Sequence, residues 1–447
     1  MQKFKEKVEE AIKKRSFELL KREEWHKWHL ADLADLLLSL DKTDRAVLFR
    51  LWPRDIAADV FSYLDKENKN SLLKDLTDEE TRLLLANLKP DDRTDLLEEL
   101  PGQVTQRLLN LLSYEDLLET RFLLGYPEKS VGRLMTPEYV AVRPEWKVAE
   151  ALEHIRSKGK KIETLSTVYV TDEKWKLLDA LGIEKFVLAS PDAKVADIMD
   201  NSFISLSAFD DQEKAVQVMQ KYDISALPVT DSDGILLGVV TFDDIFDVVQ
   251  EETTEDFQRG AAVTPLTTDY GQVSFKELFR KRAGWLVALV FVMLLASEVI
   301  ASYEEVLTKV IALAFFIPLL IDVGGNTGSQ AATLMVRALA TGDIKLSEWF
   351  TAFRKELVIG LLLGLTMGVV VGAFGLWRGG YEIGLVVGLS MVIIVLFTNL
   401  LGIFLPFLLA KFKVDPAVAS SPLVTSIADI AGLLIYFAVA VRILNLT

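Results

Sequence analysis

The chain has 447 residues and carries 64 acidic against 49 basic side chains, which gives a formal net charge of −15. Residues 1–271 hold 53 of the acidic and 36 of the basic side chains, whereas residues 272–447 hold 11 and 13. An acidic N-terminal half repels nucleic acid and anionic lipid, and it suits multivalent cations. The absence of cysteine excludes disulfides and thiolate metal sites. The first twenty residues are charged throughout and show no signal peptide, so we expect this half to be cytoplasmic.

Residues 1–130 contain an apolar position that recurs every 12 residues. Most of these positions are followed by residues that start helices, such as Asp41, Thr77 and Ser113, and often by further acids, which suit a helix N-terminus. Leucines at helical spacing fill each interval. The pattern predicts an α-helical solenoid, a right-angled stack of short helices. The recurring residues are Leu40, Trp52, Leu64, Leu76, Leu88, Leu100 and Leu112.

Residues 131–252 contain an α/β module twice. A predicted strand, turn and amphipathic helix follow Met135, and the same order begins again 64 residues later, after Met199. The second copy continues through a strand, an Asp-Gly hairpin turn, a strand and a helix. These features resemble tandem cystathionine-β-synthase (CBS) modules, which in many proteins sense nucleotides or ions. The ribose signature of those modules, T-x-x-D, occurs at Thr241–Asp244 in the second copy only, so an adenylate such as ATP is expected, if at all, at Thr241 and Asp244.

Carboxylates are dense in the second copy and the residues after it. Asp244 and Asp247 lie at i, i+3 on one predicted helix face, where like charges cost stability unless cations or water screen them. Hard divalent cations with all-oxygen shells are the natural partners of such a cluster, whereas a solvated acidic surface is the alternative interpretation. The acidic residues are Asp210, Asp211, Glu213, Asp223, Asp243, Asp244, Asp247, Glu251, Glu252, Glu255 and Asp256.

Residues 285–447 contain five apolar runs long enough to cross a bilayer, and residues 253–284 form a connector before them. In the connector, Phe275–Arg282 is amphipathic and predicts a helix that lies along the membrane surface. Glycine at every fourth position from Gly360 to Gly372 predicts a close-packing face. The distribution of Lys and Arg between the runs predicts a cytoplasmic N-terminus and a C-terminus outside the cell membrane. The predicted spans are Trp285–Ile300, Val310–Ala340, Leu357–Trp377, Ile383–Ala410 and Ala417–Val441.

The second span contains polar residues where a bilayer demands apolar ones. Within Pro318–Ala340 stand a carboxylate, Asp322, two adjacent glycines and the run Asn326–Gln330. Each unpaired polar group in hydrocarbon costs several kcal/mol, so this run must face protein or water. Glycines allow another backbone or a hydrated ion to come close. The stretch predicts a polar path through the membrane, and a helix kinked at Pro318 with polar contacts to its neighbours is the alternative.

The fifth span contains a single carboxylate, Asp429, near its middle. A charge at mid-bilayer costs at least about 2.5–3.5 kcal/mol, so such a residue faces a pathway or a partner by default. No Lys or Arg stands at a comparable depth in the sequence, which favours a cation as the partner of Asp429. A protonated or hydrogen-bonded contact between helices is the alternative.

Together these features resemble the MgtE family of bacterial magnesium channels and transporters over nearly the whole chain. The most specific matches are GGNTGSQAATLMVRALATGD at Gly324–Asp343 and DPAVASSPLVTSIADIAGLLIYF at Asp415–Phe437. The resemblance implies a multidomain homodimer with a helical N domain, tandem CBS modules, a connecting plug helix and an all-α membrane bundle of five helices. It implies Mg²⁺ uptake through a central pore in which Asp429 binds the hydrated ion.

The resemblance also implies two sets of ion-binding residues. Cytoplasmic Mg²⁺ is expected to bridge the soluble modules and the plug helix through regulatory carboxylates and so to hold the pore shut. The expected pore residues are Asp322, Gly325, Asn326, Gly328, Ser329, Ser421 and Asp429. The expected regulatory residues are Asp91, Asp95, Asp211, Glu213, Asp223, Asp244, Asp247, Glu255 and Asp256.

Two residues depart from the family pattern: Ser329 replaces a usual asparagine, and Asp322 stands where an uncharged residue is common. Two other functions stay open, a proton-coupled divalent-cation transporter that uses Asp429 and a nucleotide or ion sensor anchored in the membrane. An enzyme is not expected, because the chain has no nucleophile elbow, P-loop or HExxH motif and its three histidines are scattered.

Overall fold

The computed structural model describes residues 2–21, 23–159, 162–266, 270–271 and 273–445. It divides into two compact units, residues 1–250 and residues 251–447. The first unit holds a helical region and two small β-sheets, and the second holds long apolar helices.

The helical region at the start of the first unit shows the predicted 12-residue repeat. The residues that precede successive helices are Asp41, Pro53, Asp65, Thr77, Lys89, Pro101 and Ser113. Their side chains cap the helix where the chemistry allows: Asp41 accepts from the amide of Asp44 at 2.9 Å. The helices are α1 (Gln2–Lys13), α2 (Phe17–Lys21), α3 (Leu30–Ser39), α4 (Lys42–Leu51), α5 (Arg54–Ser62), α6 (Lys66–Asp75), α7 (Asp78–Leu85), α8 (Pro90–Glu99), α9 (Gly102–Leu109) and α10 (Tyr114–Leu124).

The recurring apolar residues form the core of this stack. Leu40, Trp52 and Leu64 are each at most 5% exposed, and they join one continuous hydrophobic cluster with the leucines of the later repeats. Helices that are two apart in the chain pack together: α3 contacts α5, α5 contacts α7, and α8 contacts α10. The solenoid expected from the sequence is therefore confirmed as a stack of short helices.

A buried arginine joins two of these helices. Arg93, on α8, is 2% exposed and donates to Glu119 at 2.6 Å and to Asp116 at 3.3 Å, both on α10. It also donates to the hydroxyl of Thr120 at 3.0 Å and to the carbonyl of Leu85 at 3.3 Å. A buried charge needs such partners, and these fix the position of α8.

We expect Arg93→Met to lower the free energy of unfolding of a fragment spanning residues 1–250 by about 3 kcal/mol, because it leaves two partly buried carboxylates without their cation. Urea denaturation followed by circular dichroism measures the change. The matched control is Arg82→Met, which breaks an exposed pair with Glu79 and should leave the free energy of unfolding nearly unchanged. Equal losses in the two variants would contradict the structural role of Arg93.

The second part of the first unit confirms the duplicated module. In each copy the first strand is parallel to the second, and the second is antiparallel to the third. The two three-stranded sheets have the orders β1-β2-β3 and β4-β5-β6. Their elements are α11 (Val131–Leu134), β1 (Ala141–Val142), α12 (Val148–Lys158), β2 (Thr167–Thr171), β3 (Leu177–Gly182), α13 (Ile183–Leu188), α14 (Val195–Ile198), β4 (Leu206–Ser207), α15 (Gln212–Tyr222), β5 (Ala226–Thr230), β6 (Leu236–Thr241) and α16 (Phe242–Gly260).

Among the residues that the structure describes, the second unit contains four apolar helical segments long enough to cross a membrane. Short 3-10 turns precede three of the long helices, at Ile311–Phe316, Leu346–Glu348 and Pro416–Val418. The helices are α17 (Phe275–Ser302), α18 (Glu304–Lys309), α19 (Ile317–Ala340), α20 (Trp349–Lys411) and α21 (Ser421–Leu444).

Helix α20 is long enough to cross a membrane twice. Its 63 residues would extend about 95 Å if straight, three times the roughly 30 Å hydrocarbon core. The backbone leaves helical geometry at Gly380, where φ is 84°, a value that glycine adopts without strain. On either side of this break the two arms, residues 349–379 and 381–411, pack together as an antiparallel pair. A β-carbon added at Gly364 would lie 2.9 Å from the carbonyl oxygen of Val392, so the predicted glycine face is a contact between backbones. With this break the four segments are long enough for the five crossings that the sequence predicts.

The connector differs from the expectation. Residues 253–260 are the end of α16, which belongs to the second unit from residue 251 onward, and Phe275–Arg282 is continuous with the first apolar helix α17. A separate helix along the membrane surface is therefore not seen, because no proline or turn sequence separates Arg282 from the apolar run. Residues 267–269 and 272 of the connector lie outside the described residues.

Candidate ion pathway and acidic sites

The polar stretch of the second span lies on α19, which packs closely between two other apolar helices. A β-carbon at Gly324 would lie 2.6 Å from Ile394, and one at Gly328 would lie 2.9 Å from the carbonyl oxygen of Thr398, both on the second arm of α20. On the other side, a β-carbon at Gly325 would lie 3.1 Å from Thr425 on α21. The glycines therefore allow α19 to approach both neighbours to backbone distance.

This packing leaves a pocket of about 600 Å³ between α19 and α21. Its polar lining comes from two carboxylates, Asp322 and Asp429, together with Asn326 and Thr425. The remaining lining residues are Pro318, Leu319, Ile321 and Gly325. Carboxylate, amide and hydroxyl oxygens together form a donor set that suits hard divalent cations.

The carboxylates of the pocket have few protein partners. The side-chain amide of Asn326 donates to Asp322 at 3.1 Å, one helical turn away. Among the residues that the structure describes, no Lys, Arg or His forms an ion pair with Asp322 or Asp429. Asp322 is exposed, and Asp429 is half-buried. The pocket is therefore negatively charged and accessible.

The structure brings together four of the seven expected pore residues: Asp322, Gly325, Asn326 and Asp429. The other three lie outside the lining of the pocket. Gly328 is buried against Thr398 and Val424, Ser329 is half-buried and its carbonyl accepts from Thr333 at 2.9 Å, and Ser421 is the first residue of α21.

Thr425 and Pro318 also line the pocket, and the sequence reasoning did not select them. Thr425 lies four residues before Asp429, on the same face of α21. This four-residue spacing from Asp429 is the feature of the sequence that could have identified Thr425 as a lining residue.

In the first unit, carboxylates from α8 and α16 lie in one neighbourhood. Asp91, at the start of α8, is 8% exposed, and its Oδ1 has no hydrogen-bond partner among the described atoms. Burial and the nearby charge of Asp244 raise the pKa of Asp91 well above its usual range. Burial and the charge of Asp243 raise the pKa of Asp244 to about 7. Burial and the charge of Asp95 raise the pKa of Asp247.

Two lysines partly balance this cluster. Lys89 donates to Glu163 at 2.6 Å, and Lys69 lies 3.9 Å from Asp95. Although burial lowers the pKa of Lys89, its hydrogen bond to Glu163 leaves that pKa above the ordinary value. Within the described ranges, no three His, Cys, Asp or Glu side chains lie close enough to hold a metal ion directly. Since Mg²⁺ keeps several of its waters, one or two carboxylates suffice for it.

The remaining expected regulatory residues lie elsewhere. Asp211 and Glu213 are at the N-terminal end of α15, where the Asp211 carboxylate accepts from the Glu213 amide at 2.9 Å, and Asp223 is at the other end. In the second unit, Arg259 bridges Glu255 on its own helix and Asp415, which precedes α21. Burial and the charge of Asp415 raise the pKa of Asp256. Asp415 is therefore a member of this acidic group that sequence reasoning missed.

The expected adenylate residues meet at the junction of β6 and α16. The hydroxyl of Thr241 donates to Asp244 at 2.8 Å. In the first copy, the corresponding junction between β3 and α13 has Gly182 in place of the threonine and Lys185 in place of the aspartate. The two copies therefore differ in the chemistry that they offer to a ribose.

The raised pKa of Asp244 predicts a pH dependence of stability. The folded state holds a proton that the unfolded state releases above its ordinary pKa of 3.8, so the free energy of unfolding should fall as pH rises from about 4 to about 7. In a fragment of residues 1–250 without divalent cations, we expect the free energy of unfolding of Asp244→Asn to fall less over this pH range than that of the unaltered fragment. The difference should be on the order of 1–2 kcal/mol. Urea denaturation at pH 5 and pH 8 measures it, and an unchanged pH difference would contradict the assignment.

Three family patterns match the chain. The MgtE intracellular N domain matches residues 28–129, the CBS domain matches residues 131–187 and 195–251, and the MgtE divalent cation transporter domain matches residues 317–439. Two solved structures are similar to the first unit: the soluble part of a magnesium transporter, and the cytosolic domain of the Mg²⁺ channel MgtE in complex with ATP. They are 31% and 35% identical, cover 56% and 54% of this chain and 99% and 97% of their own, and have TM-scores of 0.54 and 0.50.

Curated relatives extend the similarity into the apolar helices. The magnesium transporter MgtE of Thermus thermophilus is 42% identical over 334 residues, which are 75% of this chain and 74% of that protein. The magnesium transporter MgtE of Bacillus subtilis is 30% identical over 429 residues, which are 93% of this chain and 95% of that protein. Matches in all three regions, in the order that the structure displays, show that this chain belongs to the MgtE family of divalent cation transporters.

Proposed function

We propose that this protein carries Mg²⁺ across the cell membrane through a pathway that passes Asp429. The single observation that supports this most directly is the pocket between α19 and α21, where two carboxylates, an amide and a hydroxyl meet without a basic partner among the described residues. Relatives named magnesium transporters are 30–42% identical to this chain. The family is a transporter family and not a class of enzymes.

The chemistry of Mg²⁺ fits such a pocket. The ion is small and loses its waters reluctantly, so proteins often hold it through the water shell. Conduction requires binding that is strong enough for entry and weak enough for release. A carboxylate that contacts the hydrated ion through water satisfies both requirements.

The proposed arrangement is a homodimer with the N-terminus in the cytoplasm and the C-terminus outside the cell membrane. Five crossings place the two ends on opposite sides. Arg280–Arg282, the loop with Lys345 and the loop with Lys411 and Lys413 then share one side, which the positive-inside rule assigns to the cytoplasm. No nucleic acid partner is proposed, since the soluble half is strongly acidic.

We also propose that cytoplasmic Mg²⁺ closes this pathway. Burial raises the pKa of the carboxylates of α8 and α16, and the charges that they place near one another raise it further, so their ionised forms disfavour the arrangement described here. A divalent cation that binds between them stabilises that arrangement, and it shifts the population only as far as its affinity differs between states. The other acidic groups, around α15 and at Glu255 and Asp256, are proposed to act in the same way.

An adenylate is proposed as a further ligand of the second CBS copy. A relative's cytosolic domain has been solved in complex with ATP, and Thr241 and Asp244 provide the ribose signature here. Because Asp244 also belongs to the acidic cluster, the nucleotide and Mg²⁺ would share one residue.

We expect Asp429→Asn to reduce Mg²⁺ flux into liposomes that hold the purified protein by at least about tenfold, because the pocket loses the carboxylate that attracts the ion. A Mg²⁺-sensitive dye inside the vesicles measures the flux. Runs with and without a pH gradient distinguish the two transport mechanisms, since a proton-coupled transporter follows that gradient and a channel does not.

The matched control for this variant is Glu298→Gln, which removes another carboxylate from an apolar helix, α17, without touching the pocket. This variant should conduct as the unaltered protein does. Equal flux for Asp429→Asn and the unaltered protein would refute the proposed pathway, and no flux in any sample would favour a membrane-anchored sensor.

We expect the double variant Asp244→Asn/Asp247→Asn to keep conducting when cytoplasmic Mg²⁺ is high, because the cluster then lacks the charge that a closing ion neutralises. The concentration of cytoplasmic Mg²⁺ that halves the flux should rise at least about tenfold. Glu150→Gln/Glu153→Gln is the matched control, since these exposed residues have the same i, i+3 spacing on α12 of the first copy. Unchanged inhibition in Asp244→Asn/Asp247→Asn would contradict the gating proposal.

A further inference from the structure

We propose that Asp322 is a second ion-binding carboxylate of the pocket and that it makes Mn²⁺ a substrate of the pathway beside Mg²⁺. This inference rests on the proposed function, because it concerns the ion specificity of the same pocket. Its basis is the placement of Asp322 and Asp429 in one cavity, on two different helices.

The orientation of Asp322 is set by its own helix. Asn326 lies one turn further along α19, and its amide donates to Oδ2 of Asp322 at 3.1 Å. The amide thereby holds one carboxylate oxygen and leaves the other, Oδ1, for a ligand. Both side chains are exposed to the pocket, whereas the adjacent Gly324 and Gly325 are buried against neighbouring helices. The same turn of α19 thus presents polar groups on one face and close packing on the other.

The charges of the pocket call for a cation. Asp322 and Asp429 line the same cavity and repel each other. No basic side chain in the described part of the chain forms an ion pair with either of them. A charged side chain in an apolar span is costly, so two carboxylates without a basic partner in one pocket are unfavourable until an ion or several waters lie between them.

A second carboxylate changes which ion the pocket prefers. One carboxylate can hold a fully hydrated Mg²⁺ through its waters, and the ion then leaves with its shell intact. Two carboxylates, with the oxygens of Asn326 and Thr425 nearby, can replace waters and contact the ion directly. Mn²⁺ accepts the same octahedral oxygen shell as Mg²⁺, while Mg²⁺ resists dehydration. Asp322 therefore favours Mn²⁺ more than it favours Mg²⁺.

The test compares Mn²⁺ and Mg²⁺ flux in liposomes for the unaltered protein, Asp322→Asn and Asp322→Glu. The expected result is that Asp322→Asn lowers the ratio of Mn²⁺ to Mg²⁺ flux about tenfold, because Mn²⁺ flux falls much further than Mg²⁺ flux. Asp322→Glu keeps the charge and should retain most of the ratio. Glu298→Gln is the matched control for loss of a carboxylate outside the pocket and should leave the ratio unchanged.

An unchanged ratio in Asp322→Asn overturns the role of Asp322 in ion specificity, and it leaves the proposed pathway standing as long as the unaltered protein carries Mg²⁺. If the unaltered protein carries no Mg²⁺, the proposed function fails, and Mn²⁺ binding still decides this inference. Electron paramagnetic resonance of Mn²⁺ added to the purified protein should show, beyond the ions held by the regulatory carboxylates, one bound ion that Asp429→Asn weakens and Asp322→Asn/Asp429→Asn abolishes. Equal Mn²⁺ binding in those two variants overturns the inference. This binding measurement replaces the flux comparison if Asp322→Asn alone cannot be purified in folded form.

Discussion

The membrane half depends on the close approach of α19 to its two neighbours. A β-carbon at Gly402 would lie 2.2 Å from the carbonyl oxygen of Gly328, a distance that no side chain allows. Because lipid offers no hydrophobic force between helices, this backbone contact supplies the packing that a larger side chain would prevent. It also fixes which face of α19 remains for Asp322 and Asn326. The polar pocket is thus a consequence of where the glycines stand.

Unpaired carboxylates occur in both units, and their surroundings differ. In the pocket, Asp429 is half-buried and Asp322 is exposed, so ions and water can reach both. In the first unit, Asp91 is 8% exposed and one of its oxygens lacks a partner among the described atoms. An accessible carboxylate can exchange its ion quickly, whereas a buried one ties the binding of an ion to the arrangement of the helices around it. Fast exchange of the ion suits conduction, whereas ion binding that depends on the arrangement of helices suits control of the pathway.

The sequence predicted the repeated parts of the fold because repetition displays a pattern several times. The 12-residue period located the helix starts of the solenoid, and the duplicated module located both sheets. The connector was not predicted correctly, since amphipathic Phe275–Arg282 reads as a surface helix until its continuation into α17 is seen. The presence of a carboxylate within an apolar span identified Asp429 and Asp322 as candidate site residues. It could not identify Thr425 or Asp415, because a threonine or an aspartate near a helix start has several ordinary structural roles.

Like charges held close together store energy that a cation releases, and in the proposed mechanism this lets one residue type serve both binding and gating. The pKa of Asp244, raised to about 7 by burial and by Asp243, means that near neutral pH its charge is retained only at a cost. A bound cation removes that cost in the arrangement seen here, whereas it gains little when the helices have separated and water already screens each carboxylate. In the proposed mechanism, the free energy that closes the pathway therefore comes from relieving the burial and the mutual repulsion of the carboxylates of α8 and α16 when the ion binds.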